Sequence, residues 1–208
     1  MEDAGAQRVL TLDIHSEAIQ GFFTYTKLED MHASREIKDF LINKLKLDTK
    51  NMVVTGPDVG SAEKARHYSK RLGTSFAIVD KARDYSKPGE VESMRLVGDV
   101  EGKDVLIVDD MIATGGTILH AAALLKEHGA HDIYVAVSLP FFNGNAVEKI
   151  EKAYREGDIK LVLGTDAVFW GESFVKNTEW YEEVSVAPLF ARVIYNINRK
   201  RSVSQLLR

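Results

Sequence analysis

The segment Val105 to Thr117, VLIVDDMIATGGT, sets two carboxylates beside a glycine pair flanked by threonines. A loop such as Thr114-Gly115-Gly116-Thr117, placed before a helix, offers backbone N–H groups and the positive end of a helix dipole to an anion. Its glycines let a phosphate approach the backbone. Asp109 and Asp110 cannot bind that anion, but they can accept hydrogen bonds from vicinal hydroxyls or bind Mg²⁺. An acid pair next to an anion loop therefore suits a sugar phosphate. The flanking sequence supplies the elements that must hold these groups. The apolar run Val105–Val108 predicts the central strand of a parallel sheet, buried on both faces, with the acid pair standing where the strand ends. ILHAAALLKEH, from Ile118, predicts a helix that runs to a C′ glycine at Gly129.

Composition limits the classes available. With 208 residues the chain makes one large domain or two small ones, and 45% hydrophobic with 28% charged residues is the balance of a globular protein. Cysteine is absent, which excludes disulfides and thiolate metal sites and fits a reducing cytoplasm. No apolar run approaches the length of a membrane span, and MEDAGAQR lacks the basic and apolar regions of a signal peptide. The formal charge of −4 argues against a large nucleic-acid surface, whereas the basic patches Lys64–Arg71 and Arg199-Lys200-Arg201 suit small anions.

Further strands, helices and turns follow from periodicity. Val9–Ile14 reads as a strand that delivers Asp13 and His15 to its carboxyl end, where ligands bind in open α/β sheets. Ser34 is expected to cap a helix reaching Leu47, with Ile37, Phe40, Leu41 and Leu45 on one face. Then come a strand at Met52–Thr55, a loop at Gly56–Ser61, a helix at Ala62–Leu72 closed by Gly73, and a strand at Phe76–Val79. Asp80 to Arg95 is polar, contains Pro88-Gly89 and predicts a mobile excursion. Ile133–Leu139 and Leu161–Leu163 read as buried strands, and Asn143-Gly144-Asn145 as a turn before a helix start. The irregularly spaced aromatics of Phe169–Tyr181 point to core or interface. Near the end of the chain Pro188 suits the first turn of a helix with Leu189, Val193 and Ile197 on one face.

Several of these segments resemble, in the same order, the ribose-phosphate pyrophosphokinases, or phosphoribosyl-diphosphate (PRPP) synthetases. DIHSEAIQGFF, Asp13 to Phe23, is similar to their DLHxxQIQGFF. TGPDVGSAEKAR, Thr55 to Arg66, resembles the diphosphate-binding SPDxGGxxRA, and DKARD, from Asp80, the DKRR that opens their catalytic loop. VGDVEGK, from Val97, is close to VGDVxGK, and the acid and glycine segment is the signature that these enzymes share with type I phosphoribosyltransferases. SLPFFNGNA, from Ser138, resembles THPxFSGNA, and SVSQLL, from Ser202, the terminal SxSxLF. The chain departs from the pattern at Ser61, where the family has glycine, and at Lys64, where it has arginine. It departs again at Ala82, at Leu139 in place of histidine, and at Ala113 in place of aspartate. Adenine phosphoribosyltransferases read DDLLATGGT, with alanine at the place of Ala113.

The resemblance implies an α/β fold of phosphoribosyltransferase type I kind, a mostly parallel sheet flanked by helices. It makes residues 1–208 one domain, in which 1–33 and 187–208 correspond to parts that pack on the family's amino-terminal half. It implies Mg²⁺-dependent transfer of diphosphate from ATP to ribose 5-phosphate, giving PRPP and AMP. His15 would act on the nucleotide phosphates and, with Asp58, hold the metal. Lys81 and Arg83 would stabilise the transferring group. Asp109, Asp110, Ala113, Thr114, Gly115, Gly116 and Thr117 would bind ribose 5-phosphate, and Asp58, Val59, Gly60 and Ser61 the diphosphate. A PRPP-consuming phosphoribosyltransferase and a non-catalytic, synthetase-like subunit are the alternatives. The chain starts in the interior of the family sequence, so the Val9–Ile14 strand is expected to have an open edge covered by a neighbour in a cytoplasmic homo-oligomer.

Overall fold

The computed structural model describes residues 1–82 and 93–206. The predicted excursion therefore falls largely outside the described residues, as do Arg83 and Leu207. The strands in chain order are β1 (Arg8–Leu12), β2 (Lys27–Met31), β3 (Met52–Thr55), β4 (Ser75–Phe76), β5 (Ile78–Ala82), β6 (Ser93–Val97), β7 (Asp104–Ile112), β8 (Ile133–Pro140), β9 (Leu161–Thr165) and β10 (Tyr181–Val184). The helices are α1 (Ser34–Asp39), α2 (Ala62–Leu72), α3 (Gly116–Glu127), α4 (Ala146–Glu156), α5 (Glu172–Asn177) and α6 (Ala187–Asn198).

Six strands form one parallel sheet in the order β10-β9-β8-β7-β3-β4, so β7 lies inside it, between β8 and β3. Its residues Val105, Leu106, Ile107 and Val108 have no measurable exposure, as a strand covered on both faces requires. The pleat sends alternate side chains to opposite faces. Val105 and Ile107 join α3 and α4 in one apolar core, while Leu106 and Val108 join α1, α2 and α6 in the other. Each such side chain contributes about 1.5–3 kcal/mol by burial, so the site rests on a strand anchored in both cores.

Pattern and structure agree where periodicity was strong. β3 spans the expected residues, and α2 ends at Gly73, which takes the left-handed φ of +68° that a side chain resists. The central strand differs. β7 does not end before the acid pair but continues through Asp109 and Asp110 to Ile112, pairing Met111 with Leu139 and Ile112 with Pro140. Phe76–Val79 is likewise two strands: β4 stays in the main sheet while β5 leaves to pair antiparallel with β6.

Ser34 is not a cap. It lies inside α1, which follows Ala33, and the helix then widens into a π-turn at Phe40–Lys44. At the amino end, β1 is shorter than expected and has a partner, pairing in parallel with β2 from Arg8↔Lys27 to Leu12↔Met31. The sequence of β2, KLEDM, has no apolar alternation, so periodicity gave no signal for it. The two strands form a sheet of their own, which leaves each an edge with no further strand among the described residues.

Candidate active site

The order of the main sheet reverses between β3 and β7. After β3 the chain crosses by α2 to β4 on one side, and after β7 it crosses by α3 to β8 on the other. With α2 and α3 packed into different cores, the loops after β3 and β7 diverge and leave a crevice at the carboxyl ends of the strands. A cavity of about 690 Å³ opens there. It is lined by Asp58, Gly60 and Ser61 from the first loop, by Asp109 to Ile118 from the second, and by Asp13 and His15 from the end of β1.

Local geometry explains the glycines. Gly115 takes a φ of +77° just before α3 starts at Gly116, so the chain turns from strand to helix within three residues. At Gly56 a side chain would meet the Ser61 Cβ at 2.7 Å, which ties the loop close to its own end. Asp58 caps that turn, its Oδ1 accepting the Ser61 N–H at 3.1 Å. Ser61, where the family has glycine, links the two loops: its hydroxyl donates to Asp109 Oδ1 at 2.8 Å. The same Asp109 oxygen accepts the Asp110 N–H at 2.9 Å, and Asp110 Oδ2 lies 2.6 Å from His15 Nδ1. One polar chain thus runs from Asp58 through Ser61, Asp109 and Asp110 to His15.

The two acids are not equivalent. Burial, reinforced by the neighbouring Asp110, pushes the Asp109 carboxyl up to about 6. Burial pulls Asp110 the same way, but the His15 hydrogen bond and the Lys64 charge outweigh it and hold Asp110 below the usual carboxylate range. Below about pH 6 the pair therefore keeps its charge on Asp110, and above it Asp109 ionises as well.

Ala113, Thr114, Gly115, Gly116 and Thr117 line the cavity, whereas Val59 is exposed and does not. Lys81 lies in β5, its backbone paired with Met94, and β5 packs beside the Val59–Ser61 turn. Periodicity and resemblance together missed Asp30, His32 and His67 of the lining. The first two belong to β2 and its end, where no strand was legible.

Oxygen donors such as Asp58 suit Mg²⁺, and Asp58 Oδ2 has no protein partner among the described residues. Among the described residues, His15 and Asp58 do not form a closed ligand set with a third group. Among the described residues, the three-group cluster with ligand atoms within 4.8 Å is Asp104, His131 and Asp132, at the other end of β7. Such an open arrangement fits a cation that keeps one or two carboxylates and takes its other ligands from phosphates and water. No helix among the described residues is long and apolar enough to cross a membrane.

Residues 24–174 match the phosphoribosyl transferase domain family. Over 206 residues, 99% of the chain, it is 38% identical to the ribose-phosphate pyrophosphokinase of Helicobacter hepaticus and 39% identical to that of Chlorobaculum tepidum. The chain spans 62% and 60% of those relatives' length. The crystal structure of phosphoribosylpyrophosphate synthetase from Mycobacterium smegmatis superposes with a TM-score of 0.81 at 31% identity, over 96% of this chain and 61% of that one. By its sheet order, its carboxyl-end cavity and these matches, the chain belongs to the phosphoribosyl transferase domain family and is similar, within it, to the ribose-phosphate pyrophosphokinases.

Proposed function

We propose that this protein moves the β,γ-diphosphoryl group of ATP to the C1 hydroxyl of ribose 5-phosphate, forming PRPP and AMP, with Mg²⁺. One observation carries the reading: a single cavity joins the Asp58–Ser61 turn, the Asp109–Asp110–His15 chain and the Thr114–Thr117 loop. Phosphoryl transfer needs positioning and charge neutralisation more than covalent help from the protein. The loop before α3 receives the 5-phosphate on backbone N–H groups. Asp110, the more acidic member of the pair, accepts hydrogen bonds from ribose hydroxyls, while Ser61 and Asp109 fix the distance between the two loops. His15 and Asp58 would hold Mg²⁺, which when bound neutralises the charge of the nucleotide phosphates. Lys81, and Arg83 beyond the described residues, would supply cations to the group in transit.

The similarity of the chain to named pyrophosphokinases over 99% of its length supports the assignment of substrates. A cytoplasmic homo-oligomer belongs to the same proposal. Ile19, Phe22 and Tyr25, between β1 and β2, are 45%, 84% and 89% exposed, an apolar surface that a second copy would cover. The deciding experiment is a product assay with ATP, Mg²⁺ and ribose 5-phosphate, followed for AMP and PRPP, beside PRPP with each purine and pyrimidine base. AMP and PRPP in the first arm support the reading. Turnover in the second arm alone would make the protein a phosphoribosyltransferase.

A further inference from the structure

A second stretch of the cavity wall, formed by the chain after β2 and by α2, has no part in the chemistry above. His32, Ser34, Lys64, His67 and Tyr68 line it. Its foundation is Asp13, only 8% exposed although it is a carboxylate. Asp13 ends β1 with a φ of +44°, a left-handed turn that aspartate tolerates better than most residues, and its side chain points inward. Its carboxylate accepts the Ala33 N–H at 3.0 Å and the Ser138 hydroxyl, and lies 2.9 Å from His32 Nδ1. With Asp13 itself, these partners join three segments of the chain. With Nδ1 committed to Asp13, Nε2 is the ring nitrogen left for a ligand.

A purely structural tie would need nothing beyond this hydrogen bond. The surroundings say more. The charge of Lys64 bears on Asp13 and on His32, and that of His32 on His67. Asp13 and Asp30 already balance part of this charge, and what the wall turns toward the cavity to meet an anion is His32 Nε2 beside Lys64. The Asp13 hydrogen bond also raises the pKa of His32, over the opposite pull of burial, which favours an N–H on both ring nitrogens. Ser34 Oγ is buried on the same wall and has no partner among the described residues.

The geometry points to His32, mounted on Asp13 and flanked by Lys64, as a binding residue for the diphosphoryl group, to which its Nε2–H donates a hydrogen bond. This rests on the transfer reading above and names an anion contact that the sequence resemblance did not include. No bond changes at His32; it orients and neutralises. Asp13 is a positioning residue that acts through it.

Calorimetric titration with inorganic diphosphate alone and, separately, with ribose 5-phosphate tests the assignment on the wild type, His32→Ala and His32→Gln. A lost hydrogen bond to a charged group should weaken diphosphate binding by about tenfold or more in His32→Ala. In His32→Gln the amide N–H should recover part of that loss, and both variants should bind ribose 5-phosphate as the wild type does. His32→Ala with unchanged diphosphate affinity overturns the inference alone. Equal weakening of both ligands in the two variants also overturns it, by giving the pair a structural role. A wild type that binds diphosphate through His32 but makes no PRPP overturns the transfer reading and leaves the anion site standing. Failure of the wild type to bind diphosphate at all overturns both.

Discussion

The two ends of β7 carry the same kinds of side chain and put them to different use. At the amino end Asp104, Asp132 and His131 cluster, with His131 Nδ1 2.8 Å from Asp104 Oδ1. Their side chains are 26%, 25% and 70% exposed, and Lys160 already pairs with Asp132. At the carboxyl end Asp109, Asp110 and His15 stand in a cavity, with the Asp110 side chain 9% exposed. Residue type does not separate the ends; topology does. Crossovers on opposite faces part the loops after β3 and β7, and the crevice between them strips water from the acids. There a carboxylate's pKa moves and a ligand can be enclosed. At the other end water and a lysine satisfy the same groups.

Removing the cation that the proposed function assigns to Lys81 should have the largest effect. Lys81→Ala is expected to lower kcat by about 100- to 1000-fold, the usual loss for a group that stabilises transition-state charge, with KM changed only a few-fold. Steady-state kinetics on an active wild type checks this, and a change confined to KM would reduce Lys81 to a docking contact. Asp110→Asn follows. Loss of the charged acceptor should weaken ribose 5-phosphate binding by about 1.5–3 kcal/mol, roughly 10- to 150-fold, and ATP binding much less. Titration of both ligands decides, and undiminished ribose 5-phosphate affinity would remove Asp110 from the sugar site.

The carboxyl end was also the more legible in sequence, because it is written in strong local signals. An apolar run, an acid pair, a glycine pair and a helical pattern come in an order that only a strand, loop and helix satisfy, and β3 with α2 repeats the form. What sequence obscured were consequences of packing. The acid pair continues β7 because β8 is long enough to pair with Met111 and Ile112, and nothing within VDDMI reports the length of its neighbour. His32 stayed hidden because β2 is a charged strand in a two-stranded sheet, and because its partner Asp13 is 19 residues away. Ser34 looked like a cap from its local sequence, but the helix took its first turn from Ala33 instead. The aromatics of Phe169–Tyr181 divide by contact. Trp180 and Tyr181 cluster with Phe142 in the core and Trp170 and Phe174 pack half-buried against it, while Phe169 is 79% exposed.

Stability should register the same contrast. Asp109 has a folded pKa of about 6, raised by burial from 3.8, so the folded state holds its proton more tightly than the unfolded chain does. Its contribution is therefore fully present below pH 3.8 and is lost as the pH rises through about 6. Asp109→Asn keeps an oxygen for Ser61 and Asp110 N–H but has no charge to bury. The variant should match the wild type near pH 4 and exceed it at pH 8. At 1.36 kcal/mol per pH unit the ceiling is about 3 kcal/mol, and partial exposure reduces the expectation to about 1–2 kcal/mol. Thermal unfolding at the two pH values checks it, and a variant less stable at pH 8 would contradict the assigned burial.

The smallest effect belongs to the amino end of β7. Asp132 and Lys160 form an ion pair whose side chains are 25% and 53% exposed, and the hydrogen bond from Lys160 raises the lysine's pKa. Solvent screens such a pair, and ordering two flexible side chains offsets part of the attraction, so exposed ion pairs contribute about 0–1 kcal/mol. Asp132→Asn should therefore shift stability by less than about 1 kcal/mol and leave the affinity for ribose 5-phosphate unchanged. Lys160 already neutralises one carboxylate of the cluster, so Mg²⁺ added without nucleotide should raise the melting temperature of wild type and variant by equal amounts. A metal-dependent rise in the wild type that Asp132→Asn abolishes would turn the amino-end cluster into a second cation site, and the two ends of β7 would then differ in ligand rather than in whether they bind one.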